Sequence, residues 1–383
     1  MDVSVVIVNY NVRYFIEQCI LSVKSASKNF NVEIIVVDNN STDDSCKIIK
    51  GNFPEVVLIQ NKDNVGFAKA NNIGVQKAQG RYLLILNPDT VVGEDVFEKI
   101  IPFANSHSDL GILGAKLIDG SGRFLPESKR GIPTPKISFG KLFGRSNRYT
   151  KKYYAAHILE NEISEVEILV GAFMFLKRVV YLEVGGFDET YFMYGEDIDL
   201  SYKVLNKGYK NYYYPKTQVI HYKGESTIKN YENLNHFYKA MKIFYKKYFK
   251  RNYLYNIIMG VGIQCWFLLK YFRMKNEVAI IKPTLKVLYF GKNTQLLNSL
   301  GEKFELINDN ILMDFEEVKQ LINNKKVDTL IFDNSIISFK QIIEYFKELK
   351  NEDVSFKIHP HNTNFIIGSS SSNNKGQVEI LEF

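Results

Sequence analysis

Apolar and polar positions over the first ninety residues alternate in blocks. Residues 3–8 form a β-branched run that stops at Asn9-Tyr10-Asn11, the pattern of a strand buried on both faces. Residues 12–26 then carry Ile16, Ile20 and Val23 at helical spacing. A second strand is predicted over residues 32–37. It ends in the polar cluster Asp38-Asn39-Asn40-Ser41-Thr42-Asp43-Asp44, which reads as a loop and a helix N-cap. A third strand follows at 56–59, a helix at 67–78, and a fourth strand at 82–86 that runs into Asn87-Pro88-Asp89. This alternation predicts an α/β domain with a mostly parallel sheet flanked by helices. In such sheets ligands sit beyond the carboxyl ends of the strands, where Asn9, Asp38, Asn87 and Asp89 fall.

The pattern changes after residue 122. Residues 123–152 hold three prolines, several glycines and nine Lys or Arg, which predicts a mobile basic loop. A strand is expected at 165–176, a helix at 198–206 ended by Gly208, and short extended pieces at 212–214 and 219–222. Residues 231–250 predict an aromatic, lysine-rich helix, followed by an apolar stretch at 253–272. From Lys286 the strand-helix alternation restarts and predicts a small Rossmann-like unit. Its first turn, Gly291-Lys292-Asn293, is not a GxGxxG loop, so no dinucleotide site is expected there. The predicted division is 1–228, 229–276 and 277–383.

A chain of 383 residues exceeds one ordinary domain. Its three cysteines are far apart with no CxxC pair. That excludes a disulfide scaffold and a cysteine-built zinc site, and fits a reducing compartment. The first strand has no basic region ahead of it, so no signal peptide is expected. The net charge of +7 has a local source: residues 228–275 contain eight Lys, two Arg and one Glu. A single patch argues against nucleic acid as a partner. Its position beside an apolar stretch interrupted by Gln264 and Lys270 predicts an interfacial segment rather than a span. The expectation is a cytoplasmic protein, peripheral on the inner leaflet of the cell membrane.

The blocks VSVVIVNYN, IIVVDNNSTDDS, NVGFAKANNIG, YLLILNPDT and GGFDETYFMYGEDIDLSYKV occur in this order over roughly residues 1–250. Together they resemble family 2 glycosyltransferases of the GT-A fold, and within them the rhamnosyltransferase-like subgroup. The resemblance implies that Asn9, Tyr10 and Asp38 hold the base and ribose of a nucleotide sugar. Asn39 stands where many members have a second Asp, and its amide can both donate to and accept from a base edge. Gly66 would allow close backbone approach and Lys69 would balance diphosphate charge, while Asn71 stands where many relatives have Arg. Asn87-Pro88-Asp89 occupies the place of the family's metal motif. Asp89 would be the main carboxylate for Mg²⁺ or Mn²⁺ and Asn87 a weaker neutral ligand.

His221 matches a metal ligand of several relatives, and neutral imidazole suits Mn²⁺. Lys223 would be a further diphosphate contact. Asp197 is the implied general base, with Glu196 and Asp199 shaping its loop. Gly186, Phe187, Asp188, Tyr194 and Glu196 are expected on the acceptor side. The implied reaction is a single inverting displacement that moves L-rhamnose from dTDP-L-rhamnose to a glycan or lipid-linked acceptor in surface polysaccharide synthesis. UDP-hexose and UDP-galactofuranose are alternative donors, and other polysaccharide-assembly proteins are candidate partners. A sugar nucleotidyltransferase would need a Gly-rich basic loop after the first strand, which Asn9-Tyr10-Asn11-Val12-Arg13 does not supply. A non-catalytic membrane-recruited scaffold would have lost the base or metal residues, and Asp89, Asp197 and His221 are all present.

Overall fold

The computed structural model describes residues 1–142, 147–224, 231–249, 261, 286–308, 314–369 and 376–381. The apolar stretch at 253–272 lies outside the described residues except for Val261. Among the described residues no helix is long and apolar enough to cross a membrane.

The first unit starts with β1 (Val3–Asn9), α1 (Arg13–Ala26), β2 (Val32–Asp38), α2 (Ser45–Asn52), β3 (Val57–Gln60), α3 (Phe67–Lys77) and β4 (Tyr82–Leu86). On β1 the side chains alternate between two cores: Val3, Val5 and Ile7 enter one, Val6 and Val8 the other. Burial on both faces is why these strands read as unbroken apolar runs. The unit continues through β5 (Thr90–Val92), α4 (Val96–Ser106), β6 (Leu110–Ile118), α5 (Pro135–Leu142) and α6 (Asn147–Tyr153). It is completed by β7 (Ser164–Val166), β8 (Phe173–Lys177), α7 (Arg178–Glu183), α8 (Glu196–Asn206), β9 (Lys210–His221) and α9 (Tyr231–Tyr248).

The sheet order is β3-β2-β1-β4-β8-β6-β9-β5, with β7 on β9. The strands β1 to β4 are parallel to one another, but β8 runs antiparallel to both β4 and β6, and β5 and β7 run antiparallel to β9. The sheet is therefore mixed, not mostly parallel. Apolar runs report burial and carry no record of strand direction. Three further expectations are corrected. The basic segment 123–152 contains α5 and α6 and is not one open loop. The strand expected at 165–176 is broken between β7 and β8, around Gly171. The two pieces at 212–222 are one strand, β9, whose register against β6 jumps between Tyr214 and Gln218. Pro215 lies in that jump and cannot donate to a ladder, so the strand bulges there.

The second unit comprises β10 (Lys286–Phe290), α10 (Thr294–Lys303), β11 (Glu305–Asn308), α11 (Phe315–Lys325), β12 (Thr329–Asp333) and α12 (Phe339–Glu348). It ends with β13 (Ser355–His359), β14 (Phe365–Gly368) and β15 (Gln377–Ile380). Its sheet runs β11-β10-β12-β13-β14-β15, parallel as far as β13. The two units share a hydrophobic core. Phe15, Val91, Ile118, Ile220 and Tyr222 of the first cluster with Phe290, Phe332, Phe346 and Phe365 of the second. Glu94 accepts from the backbone N–H groups of Phe339 and Lys340, at 2.8 Å each, and so caps α12 from outside its own unit. The second unit thus packs on β5 and β9, the pair that carries His221.

Candidate active site

The turn after β4 brings Asn87 and Asp89 to the sheet edge, and the pairing of β5 with β9 sets Thr90 opposite His221. The Tyr222 N–H donates to the Asp89 carbonyl at 3.0 Å, which fixes the register. His221 Nε2 consequently lies 3.4 Å from Asp89 Oδ1 and 3.4 Å from Asn87 Nδ2. Two polar atoms of this group, Asn87 Oδ1 and His221 Nδ1, are buried without a hydrogen-bond partner among the described residues. An amide oxygen, a carboxylate and an imidazole form a donor set that fits Mg²⁺ or Mn²⁺, provided other oxygens complete the shell. Among the described residues no group of three or more His, Cys, Asp and Glu collects at one point. Lys223 is taken by Glu127, at 2.5 Å. Burial would raise the Glu127 carboxyl, but Lys223, and more weakly His221, draw it below its ordinary value.

The second half of the site is the first turn of α8. Tyr194 and Gly195 have φ of 69° and 78°, a sharp left-handed entry that sets Glu196 and Asp197 at the helix start. Asp197 Oδ2 accepts from Arg130 Nη2 at 2.6 Å and from the Gly171 N–H at 3.2 Å. Oδ1 accepts from the Ile198 N–H at 2.8 Å. Burial disfavours the Arg130 charge, yet Asp197 and then Tyr153 outweigh it and hold the guanidinium firmly protonated. Glu196 is buried and its Oε2 has no hydrogen-bond partner among the described residues. Burial first, and then the Asp197 charge, push its carboxyl well above the ordinary value. Two residues join the halves of the site: the Asn87 N–H donates to the Ala172 carbonyl at 3.1 Å, and Gly171 binds Asp197.

The residues expected on the donor side lie along the same sheet edge. Asn9 Nδ2 donates to Asp38 Oδ1 at 2.8 Å and to Ser41 Oγ at 3.1 Å, while Asp38 Oδ2 accepts from the Ser41 N–H at 2.9 Å. Asn39 donates to Asn64 Oδ1 and the Gly66 carbonyl and accepts from Asn61 Nδ2, so its amide ties β2 to the loop before α3. Gly66 has φ of 86°, and a Cβ there would run into the Phe192 carbonyl oxygen. Asn71 donates to the Phe67 carbonyl at 2.9 Å and leaves its Oδ1 buried without a hydrogen-bond partner among the described residues. Tyr10 is half-buried and Lys69 is exposed on α3.

The acceptor-side expectation divides. Tyr194 and Glu196 lead into Asp197 at the start of α8, and Tyr194 packs edge-on against Phe237 of α9. Gly186, Phe187 and Asp188 are engaged in holding their loop. The Phe187 ring is buried against Phe67 and Tyr181, the Gly186 carbonyl accepts from Lys203, and Asp188 pairs with Lys247 at 2.6 Å. Sequence reasoning missed two components. Arg130 was hidden in a segment read as a mobile loop. Gly171 carried a signal, since an isolated glycine inside a strand pattern marks close backbone approach.

Residues 4–181 match the model of the Glycosyl transferase family 2. The match lies in the N-terminal unit and spans just under half of the chain. The N-acetylglucosaminyl-diphospho-decaprenol L-rhamnosyltransferase of Mycobacterium tuberculosis is 27% identical over 240 residues, 58% of this chain and 76% of that protein. The rhamnosyltransferase WbbL of Escherichia coli K12 is 27% identical over 195 residues, 48% of this chain and 69% of its own length. Among solved structures, S. aureus TarS 1–349 in complex with UDP-GlcNAc aligns with a TM-score of 0.47 and 16% identity. That alignment spans 73% of this chain and 77% of the other.

Proposed function

We propose that this protein is an inverting glycosyltransferase that moves a sugar from a nucleotide-sugar donor to a hydroxyl of a glycan or lipid-linked acceptor. The observation that carries the reading is the meeting of Asn87, Asp89 and His221 on one side of Gly171-Ala172 with Asp197 on the other. The Asn9–Asp38 pair and the loop held by Asn39 and Gly66 form the nucleotide side. Asn87, Asp89 and His221 would hold Mg²⁺ or Mn²⁺, which when bound neutralises negative charge on a leaving diphosphate. Asp197 takes the acceptor hydroxyl proton. That oxygen bonds to the anomeric carbon, the carbon's bond to the diphosphate breaks, and nucleoside diphosphate leaves. One displacement inverts the centre and needs no covalent enzyme intermediate.

L-Rhamnose from dTDP-L-rhamnose is the first donor to test, supported by the two rhamnosyltransferase relatives. UDP-hexose and UDP-galactofuranose follow. The proposed division is a catalytic unit at 1–228, a membrane-associating segment at 229–276 and the small unit at 277–383. Attachment to an anionic inner leaflet is supported by α9. There Lys239, Lys242 and Lys246 are exposed at helical spacing without an ion pair among the described residues. The test is donor turnover by the full chain across dTDP- and UDP-sugars, with and without Mn²⁺, beside D89A and D197A. Metal-dependent turnover of one donor, lost in both variants, is expected. Donor turnover indifferent to metal and to both substitutions would refute the reading.

A further inference from the structure

We infer that Arg130 is the positioning residue of the site, fixing which oxygen of Asp197 meets the acceptor. The inference rests on the glycosyltransferase reading above and names a residue that this reading does not need in order to stand.

Three observations carry it. First, Arg130 is anchored at its backbone: its N–H donates to the Ile168 carbonyl at 3.0 Å, and its own carbonyl accepts from the Ile168 N–H at 2.9 Å. The next residue, Gly131, donates to the Tyr153 carbonyl at 2.8 Å. A long side chain that would otherwise sample many rotamers starts from a fixed point. Second, Nη2 is shared between the Leu169 carbonyl at 2.9 Å and Asp197 Oδ2 at 2.6 Å, so the guanidinium is held in place as well. Third, the carboxylate is bound asymmetrically. Among the described residues Oδ2 receives both Arg130 and the Gly171 N–H, whereas Oδ1 receives only the adjacent Ile198 N–H. A carboxylate with one oxygen saturated presents the other for proton transfer. Oδ1 is thereby assigned as the atom that accepts the acceptor proton.

A purely structural role explains this arrangement less well. Removing two charges from water is costly, and apolar packing of similar volume is often as stable as a buried ion pair. Arg130 and Asp197 are both under a tenth exposed, and the pair stands at the turn where the reacting hydroxyl must arrive. Arg130 touches no reacting atom. It acts through Asp197, and through the 169–172 segment, whose Leu169 carbonyl it binds and whose Ala172 carbonyl accepts from the Asn87 N–H.

The experiment uses the full chain with wild type, R130Q, R130K and R130G, after wild-type turnover of a donor has been recorded. Donor affinity is measured by calorimetry and transfer by product formation. R130Q is expected to bind donor as wild type does and to lose about 100-fold in kcat, the scale of a misplaced catalytic group. R130K should recover part of that loss, and added guanidinium should restore turnover to R130G. Parallel loss of donor affinity and kcat, or no change in kcat, would overturn the inference while leaving the transferase reading intact. Absence of wild-type turnover with every donor removes the transferase reading itself. In that case coupling of R130Q with D197N in a double-mutant cycle of urea unfolding would assign the pair to stability, and additivity would dissolve the pair altogether; either result overturns the positioning role.

Discussion

Replacing Asp199 by alanine should loosen the turn that carries Asp197 without disturbing donor binding. Asp199 is fully buried two residues beyond Asp197. Its Oδ1 accepts from Lys247 Nζ at 2.8 Å, from the Tyr248 hydroxyl at 2.9 Å and from the Tyr191 hydroxyl at 3.4 Å, and Lys203 Nζ stands 3.7 Å from Oδ2. Lys247 and Tyr248 belong to α9, so this one carboxylate clamps α9 onto α8. A charged hydrogen bond contributes about 1.5–3 kcal/mol, and a buried hydroxyl left without its acceptor costs about 1 kcal/mol or more. The Lys247 side chain is 33% exposed and keeps Asp188 as a partner when Asp199 goes, which lowers its share. The sum is about 3 kcal/mol. At about 2–4 °C per kcal/mol for a unit of this size, the unfolding midpoint should fall by about 6–12 °C. D199N, which keeps an acceptor but not the charge, should lose roughly half as much. The assay is thermal unfolding of wild type, D199A and D199N, with donor affinity measured well below all three midpoints. A D199A midpoint within about 2 °C of wild type, or donor affinity lost while the protein is folded, would refute the reasoning.

Three further outcomes follow from the same geometry. D197N should leave donor affinity within about twofold and cut transfer by about 10²–10⁴-fold, since on the proposed mechanism it removes the proton acceptor alone; equal loss of both would point to a fold defect. Burial raises the Asp188 carboxyl, but Lys247 and Thr190 outweigh it and bring it from 3.8 down to about 2. Its stabilisation is therefore complete above the ordinary carboxylate range and is lost as pH falls through about 2, so the unfolding midpoint should drop over that window in wild type and less steeply in D188N. G66A should cost about 1–3 kcal/mol or more and weaken donor affinity, because φ is 86° and the new Cβ meets the Phe192 carbonyl. G208A, at φ of 91° but in open space, should show only the backbone strain.

Local signals in the sequence were sufficient for the first half of the sheet. The predicted strands at 3–8, 32–37, 56–59 and 82–86 match β1 to β4 within one residue at each end, because strands buried on both faces and bounded by polar turns need no partner to be recognised. Asn87, Asp89 and His221, 134 residues apart at the extremes, meet in space. That meeting depends on β5 lying antiparallel to β9, which no local pattern encodes. Arg130 was illegible for a related reason. Its surroundings are rich in proline and cations, like a solvated loop, and the partners that hold it, Ile168, Leu169 and Asp197, are distant in sequence. The bulge at Pro215 disguised β9 as two pieces, since a residue without an N–H interrupts the very alternation that marks a strand. The docking of the second unit was equally hidden. Glu94 reads as one acid in a turn until the N-terminus of α12 is set against it.

The most direct test of the central claim is calorimetric titration of the full chain with dTDP and with UDP, each with Mn²⁺ and with chelator, beside D89A and H221A. Binding of one nucleoside diphosphate that requires Mn²⁺ and disappears in D89A is predicted, with H221A weakened. Binding that ignores both the metal and Asp89, or no binding of either nucleotide to the folded protein, would contradict the account.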